Sequence, residues 1–133
     1  MDNLITLDAC VPINHFRSTR RDNTFFCQLL QNYKCGISAV AMYEVFAGVK
    51  DEQLELWQAE FAKIVFMPVT LSIVMEARKV SLSLRRRNRL VPALDILIAA
   101  TAIVENRPLA TFNRKHFERI DGLELICPVD PNR

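Results

Sequence analysis

At 133 residues with a net charge of +2, half of them hydrophobic and only three glycine, the chain is sized and composed for one compact domain over residues 1–133. That composition excludes a disordered chain and a turn-rich all-β design, and a core of this size needs no disulfide or structural metal. The charge is too small to imply a nucleic-acid partner by itself.

The four cysteines, Cys10, Cys27, Cys35 and Cys127, are irregularly spaced, form no CxxC pair and have neither His15 nor His116 in zinc-finger register. Reduced thiols in a cytoplasmic protein are expected. No signal peptide precedes Asp2, and every apolar run breaks well before the ~20 residues a spanning helix needs, so a soluble protein is expected.

Leu4-Ile5-Thr6-Leu7 reads as a buried first strand that delivers Asp8 to its C-terminal end, the edge at which α/β sheets bind ligands. Asp8 can equally cap the helix that starts near Pro12. Arg20 to Asn32 carries Phe25, Phe26, Leu29 and Leu30 at helical spacing and is expected to pack on the sheet. Cys35-Gly36-Ile37 forms a second strand, and Ser38 is the expected N-cap of a helix over Val40 to Val49. Glu44 then falls about two turns into this apolar helix, either on its solvent face or buried with a partner.

Gly48 and Asp51 mark a turn into a helix with Leu54, Trp57, Phe61 and Ile64 on one face. Such a stripe is core or, with its neighbours, a surface for a dimer or a partner peptide. Ile64 to Met67, closed by Pro68, reads as a strand or a connector. Thr70 opens a long helix to about Arg87 with Ile73, Ala77, Val80 and Leu84 inward, and Asn88 suits the left-handed position that ends it. The basic run Arg85, Arg86, Arg87 and Arg89 is a solvated helix end or an RNA-phosphate contact.

Pro92 and Ala93 lead into a nearly all-apolar helix that carries Asp95 in its first turn. The helix dipole favours an acid there, yet Leu94, Ile96, Leu97, Ile98, Ala99 and Ala100 imply burial, which asks for a cation. Leu109-Ala110-Thr111 is a short strand, Asn113 follows it as Asp8 follows the first, and Glu124-Leu125-Ile126 closes the sheet. Strands alternating with helices predict an α/β three-layer fold with a largely parallel sheet.

In such a sheet Asp8, Glu44 and Asp95 follow strands or head helices at one edge. Three carboxylates brought together repel unless a divalent cation neutralises them, and oxygen-only ligands favour Mg²⁺ or Mn²⁺ over zinc. Such an ion activates water and stabilises charge developing on a phosphodiester.

These segments together resemble a PIN-domain ribonuclease, specifically the VapC-type toxins of bacterial toxin–antitoxin pairs. The resemblance rests on Leu7-Asp8-Ala9-Cys10-Val11, on Ser38 through Glu44 to Gly48, and on Asp95, Ile98, Ala99, Ala100 and Ala102. Thr111, Asn113 and Phe117 follow, then Glu118-Arg119-Ile120 and Gly122-Leu123, so it spans essentially the whole chain.

It implies a PIN-like α/β/α sandwich and an endoribonuclease in which Asp8, Glu44 and Asp95 ligate Mg²⁺ or Mn²⁺, with Thr111 and Ser38 orienting them from behind. It further implies a structured RNA substrate such as tRNA or ribosomal RNA, a cognate antitoxin covering the acidic pocket, and a homodimer. Two departures stand out. Asn113 occupies the position where many relatives carry a fourth acid, and Ala9-Cys10 replaces the usual polar residues after Asp8. His116 is expected to be a polar residue on a short helix rather than a general acid.

Three other functions remain open: a housekeeping RNA-processing nuclease, a non-catalytic RNA-binding module, and a phosphoacceptor domain, for which no Lys or Thr/Ser arrangement is evident.

Overall fold

The computed structural model describes residues 2–129. Five strands form one sheet in the order β3-β2-β1-β4-β5, and every pairing is parallel. In chain order the elements begin with β1 (Leu4–Leu7), α1 (Cys10–Arg17), α2 (Phe25–Asn32), β2 (Lys34–Ser38) and α3 (Ala39–Ala47). A 3-10 turn at Asp51–Gln53 leads into α4 (Leu54–Phe61), followed by β3 (Val65–Met67), α5 (Leu71–Arg86) and α6 (Ala93–Glu105). The chain then forms β4 (Leu109–Ala110), α7 (Arg114–Phe117) and β5 (Leu125–Ile126). This is the α/β/α sandwich that the alternating pattern predicts.

The order of the sheet decides where a site can form. From central β1 the chain builds outward through β2 and β3 on one side, then returns to add β4 and β5 on the other. β1 and β4 therefore meet at a topological switch point, where connections diverge to opposite faces and leave a crevice beyond the strand ends. The pairing there is in register, Thr6 opposite Leu109 and Leu7 opposite Ala110, and the Asp8 N–H continues it by donating to the Ala110 carbonyl at 2.9 Å.

Local signals fix the helix ends. Thr24, Ser38 and Thr70 each accept a backbone N–H through the side-chain oxygen, capping α2, α3 and α5. Asn88 and Asn106 follow α5 and α6 with φ of 52° and 57°, the left-handed geometry that asparagine tolerates. The helix expected from Arg20 begins only at Phe25. Thr24 is extended and caps it, and Asp22 and Asn23 compete for backbone donors and disfavour a helix interior. Its buried face is Phe26 and Leu29, whereas Leu30 is exposed. Similarly Trp57, Phe61 and Ile64 are buried while Leu54 remains at the surface. Val65–Met67 is a strand rather than a connector.

Ile5, Leu7 and Ile37 from the sheet join Val11, Phe26, Val45, Ile98 and Phe117 from helices on both faces in one main core. A smaller cluster of Ile73, Ala77 and Ala100 joins α5 to α6. Trp57 stacks on Phe16 at 3.7 Å between centroids, pinning the last turn of α1. Gly36 lies in β2, where an added Cβ would come within 2.7 Å of Met67 Cε and 3.2 Å of the Val65 carbonyl, so no side chain fits without displacement. All four cysteines are free thiols, and among the described residues no helix is long and apolar enough to cross a membrane.

Among the described residues, Thr6 Oγ1 is the one buried side-chain polar atom without a hydrogen-bond partner. An unsatisfied buried hydroxyl opposes folding, because water is given up and nothing replaces it. Thr6→Val is therefore expected to stabilise the chain by about 1 kcal/mol in urea unfolding. A destabilised variant would show that the hydroxyl is satisfied in solution.

Candidate active site

The crevice beyond β1 and β4 is a cavity of about 630 Å³, and Asp8, Glu44, Asp95 and Asn113 all line it. Three separate lengths of chain supply the acids. Asp8 ends β1, Glu44 lies two turns into α3, and Asp95 occupies the first turn of α6. Helix α6 packs on both α3 and α5, and this brings the Asp95 turn to the cavity.

Asp8 is the anchored member. It is only 7% exposed, and three donors hold its carboxylate. Oδ1 accepts the Ala9 N–H at 2.9 Å, while Oδ2 accepts the Thr111 hydroxyl at 2.7 Å and the Cys10 thiol at 3.2 Å. Thr111 is itself oriented, since its Oγ1 accepts the Asn113 N–H at 3.0 Å. Asp8 thus takes the N–H of Ala9, the residue that heads α1, through Oδ1, while Oδ2 is held across the β1–β4 seam, so the carboxylate serves the helix start and the seam together. Burial, then the neighbouring Asp8 charge, pushes the Cys10 thiol up to about 12, which keeps it a donor.

The other two acids are less constrained. Glu44 is half-buried rather than on the solvent face, and its pKa is raised by burial first, then by the charges of Asp95 and Asp8. Asp95 is raised by burial and by Asp8, with His116 acting in the opposite direction. These shifts are the signature of like charges sharing one low-dielectric recess. The acids line the recess without closing on one another: among the described residues no three His, Cys, Asp or Glu side chains are grouped as a finished metal site. The donor set nonetheless fits a hard divalent cation, being carboxylate oxygens with an amide beside them and a charge excess for the cation to neutralise.

The remaining sequence candidates divide. Asn113 lines the cavity with its side chain 2.7 Å from His116 Nδ1. His116, expected to be an ordinary polar residue, stands 3.6 Å from Asp95 Oδ2, because the single turn of α7 folds it back towards α6. Ser38 caps α3 through Ala41 N–H at 3.0 Å and does not line the cavity.

The arginine run also lies outside that lining. Arg87 turns away, donating to the Arg119 carbonyl at 2.6 Å and lying 3.9 Å from Asp121. Arg85 and Arg89 flank a separate crevice with Ala93 and Ile96 at the start of α6. Cys10, Asn14, Arg17 and Phe112 line the cavity without having been singled out as contacts. For the first three a signal existed, since positions 10, 14 and 17 share one helical face directly after Asp8.

Comparison with known proteins bears on the family and the fold. The PIN domain family model matches residues 5–123. Ribonuclease VapC1 of Methanocaldococcus jannaschii is 31% identical over 127 residues, covering 93% of this chain and 86% of that protein. Ribonuclease VapC10 of Mycobacterium tuberculosis is 30% identical over 131 residues, 98% of each chain. Among solved structures, VapBC2 from Rickettsia felis bound to a promoter DNA fragment superposes with a TM-score of 0.81 at 21% identity, covering 95% of this chain and 99% of that one. VapBC from Salmonella typhimurium, also DNA-bound, gives 0.83 at 18% identity over 96% and 98%. At those identities the two structures speak for the fold alone, whereas the family match and the sequence relatives extend over nearly the full length: the chain is a PIN-domain protein of the VapC family.

Proposed function

We propose that this chain is an endoribonuclease dependent on Mg²⁺ or Mn²⁺, acting in the cytoplasm on structured RNA such as tRNA or ribosomal RNA as the toxin of a toxin–antitoxin pair. The observation that carries the reading is the Asp8 carboxylate, oriented by three donors in the same recess as Glu44 and Asp95. Relatives named Ribonuclease VapC support the reaction, and neighbours solved as VapBC toxin–antitoxin complexes support a cognate antitoxin. A homodimer is part of the same proposal.

Asp8, Glu44 and Asp95 would hold the cation, and Asn113 would contribute its amide at the position of a fourth ligand. The ion supplies Lewis-acid charge for the phosphodiester and lowers the pKa of water. Thr111 and Cys10 keep Asp8 Oδ2 directed, and His116 and Asn113 steady the Asp95 side.

Removing the Thr111 donor is expected to act on the cation before anything else. Thr111→Val should weaken Mn²⁺ binding about 10–100-fold by calorimetry. Unchanged affinity would remove Thr111 from the site.

The raised carboxylates give a stability test whose sign is fixed. The folded chain binds protons at Glu44 and Asp95 more tightly than the unfolded chain, so the stability they contribute is present below their ordinary pKa values and lost as pH rises through the raised ones. In EDTA at neutral pH, Asp95→Asn is therefore expected to melt higher than the unmodified chain. The gap should close as pH falls towards about 4, and Mg²⁺ should raise the melting temperature of the unmodified chain more than that of the variant. A variant that melts lower throughout would contradict a repulsive cluster.

The activity test is incubation of total tRNA and ribosomal RNA with purified protein in Mg²⁺ or Mn²⁺, beside EDTA and an Asp95→Asn preparation. Discrete products lost under both controls are expected. Equal cleavage by the variant would identify a contaminant, and absence of both cleavage and metal binding would leave a non-catalytic module. Growth unaffected by soluble, active protein would favour a housekeeping nuclease over a toxin.

A further inference from the structure

Resting on the nuclease reading, the cavity also carries features that cation binding does not use. Phe112 lines it with 41% of its surface exposed, although the flanking residues Thr111 and Asn113 are joined by the hydrogen bond that orients the Asp8 latch. Its ring meets Phe25 of α2 edge-on, at 5.3 Å between centroids and 64° between planes. The ring is thus braced from one side and left open on another, at a fixed place relative to Asp8. Arg17, on the last turn of α1, is the cation of the same lining, with Phe16 beside it clamped by Trp57.

An exposed aromatic face and a guanidinium beside a recessed set of carboxylates match the parts of one nucleotide. Base stacking on an aromatic side chain contributes about 1–3 kcal/mol, and a guanidinium forks onto phosphate oxygens. About 630 Å³ lies within the range of small-ligand pockets, room for one nucleotide. A base within an A-form helix has both faces occupied by its neighbours, so only an unpaired or extruded base can reach the ring.

We infer that Phe112 and Arg17 form a subsite for a single unpaired nucleotide flanking the scissile phosphodiester, with Phe112 stacking the base and Arg17 holding a phosphate. The subsite makes Phe112 and Arg17 the residues through which this chain grips the nucleotide beside the cut.

The test uses an Asp95→Asn background in Mg²⁺, so that binding is read without cleavage, and a fluorescein-labelled single-stranded RNA of about 12 nucleotides beside the same strand annealed to its complement. The unpaired strand is expected to bind about tenfold or more tightly than the duplex. Adding Phe112→Ala should remove about tenfold of the single-strand affinity and leave duplex binding unchanged, with Phe112→Trp restoring the loss and Phe112→Leu failing to restore it. Arg17→Ala should flatten the slope of log K against log salt by about 0.7, the value for one phosphate on a single strand.

Equal binding of the two RNA forms, full rescue by leucine, or an unchanged Phe112→Ala variant would each overturn the subsite. Cleavage of tRNA by the chain with Asp95 intact is scored separately. Cleavage with a failed binding series sinks the subsite alone. A positive binding series without cleavage sinks the nuclease reading and leaves an RNA-binding subsite, and loss of both sinks both.

Discussion

One hydrogen bond, from the Thr111 hydroxyl to Asp8 Oδ2 at 2.7 Å, ties the two halves of the site together. It crosses the seam at which the sheet changes direction. Leu7 opposite Ala110 and the Asp8 N–H on the Ala110 carbonyl set the two strand ends level, and without that register the hydroxyl would not meet the carboxylate. The Asn113 N–H on Thr111 Oγ1 extends the chain of donors by one more link. A buried carboxylate with several hydrogen bonds resists rearrangement, because breaking any one leaves a charged acceptor short of a donor in low dielectric. Position and orientation at Asp8 are therefore fixed by the fold before any ligand arrives.

Electrostatics works in the opposite sense at Glu44 and Asp95. Both are pushed towards their protonated forms by burial first and then by the Asp8 charge, with Asp95 acting on Glu44 as well, so the cation-free fold bears a strain at neutral pH. Cys10 adds no charge to that balance, since its thiol remains protonated. The recess thus combines one acid in a rigid setting with two whose geometry has room to adapt, a division suited to drawing ligands in around an ion.

Much of this was legible in the sequence, for reasons that differ by residue. The caps at Ser38 and Thr70 and the left-handed Asn88 are local chemistry, which a sequence displays directly. Asp8, Glu44 and Asp95 were visible as acids next to apolar runs, although each kept a bland alternative until the strand order brought three distant segments to one recess. The false extension of α2 back to Arg20 arose from reading apolar spacing without giving Thr24 its weight as a cap. His116 was undervalued because its approach to Asp95 depends on how a single-turn helix lies against α6. The arginine run was a charge pattern only, and its side chains diverge once α5 ends, with Arg87 directed to Arg119 and Asp121. Phe112 gave no periodic signal, being one aromatic in a loop whose placement follows from the fold around it.

The strands beneath the two halves of the site differ in length. Asp8 follows four-residue β1, which pairs with five-residue β2 along four successive positions, whereas Phe112 and Asn113 follow β4, which has two residues and only two-residue β5 beyond it. Free energies of local opening fall where few hydrogen bonds and little buried surface must be given up. The β4–β5 edge is accordingly the weaker cooperative unit, and a ligand that touches both Asp8 and the loop after β4 spans the boundary between the two. Occupancy of the recess then slows amide exchange at Leu109 and Thr111, whose N–H groups donate to Glu124 and Ile126, although no ligand touches those amides. The loop that presents Phe112 can also exchange its side chains over evolutionary time at little expense to the β1–β2 centre of the sheet, leaving substrate preference free to drift while the acids stay in place.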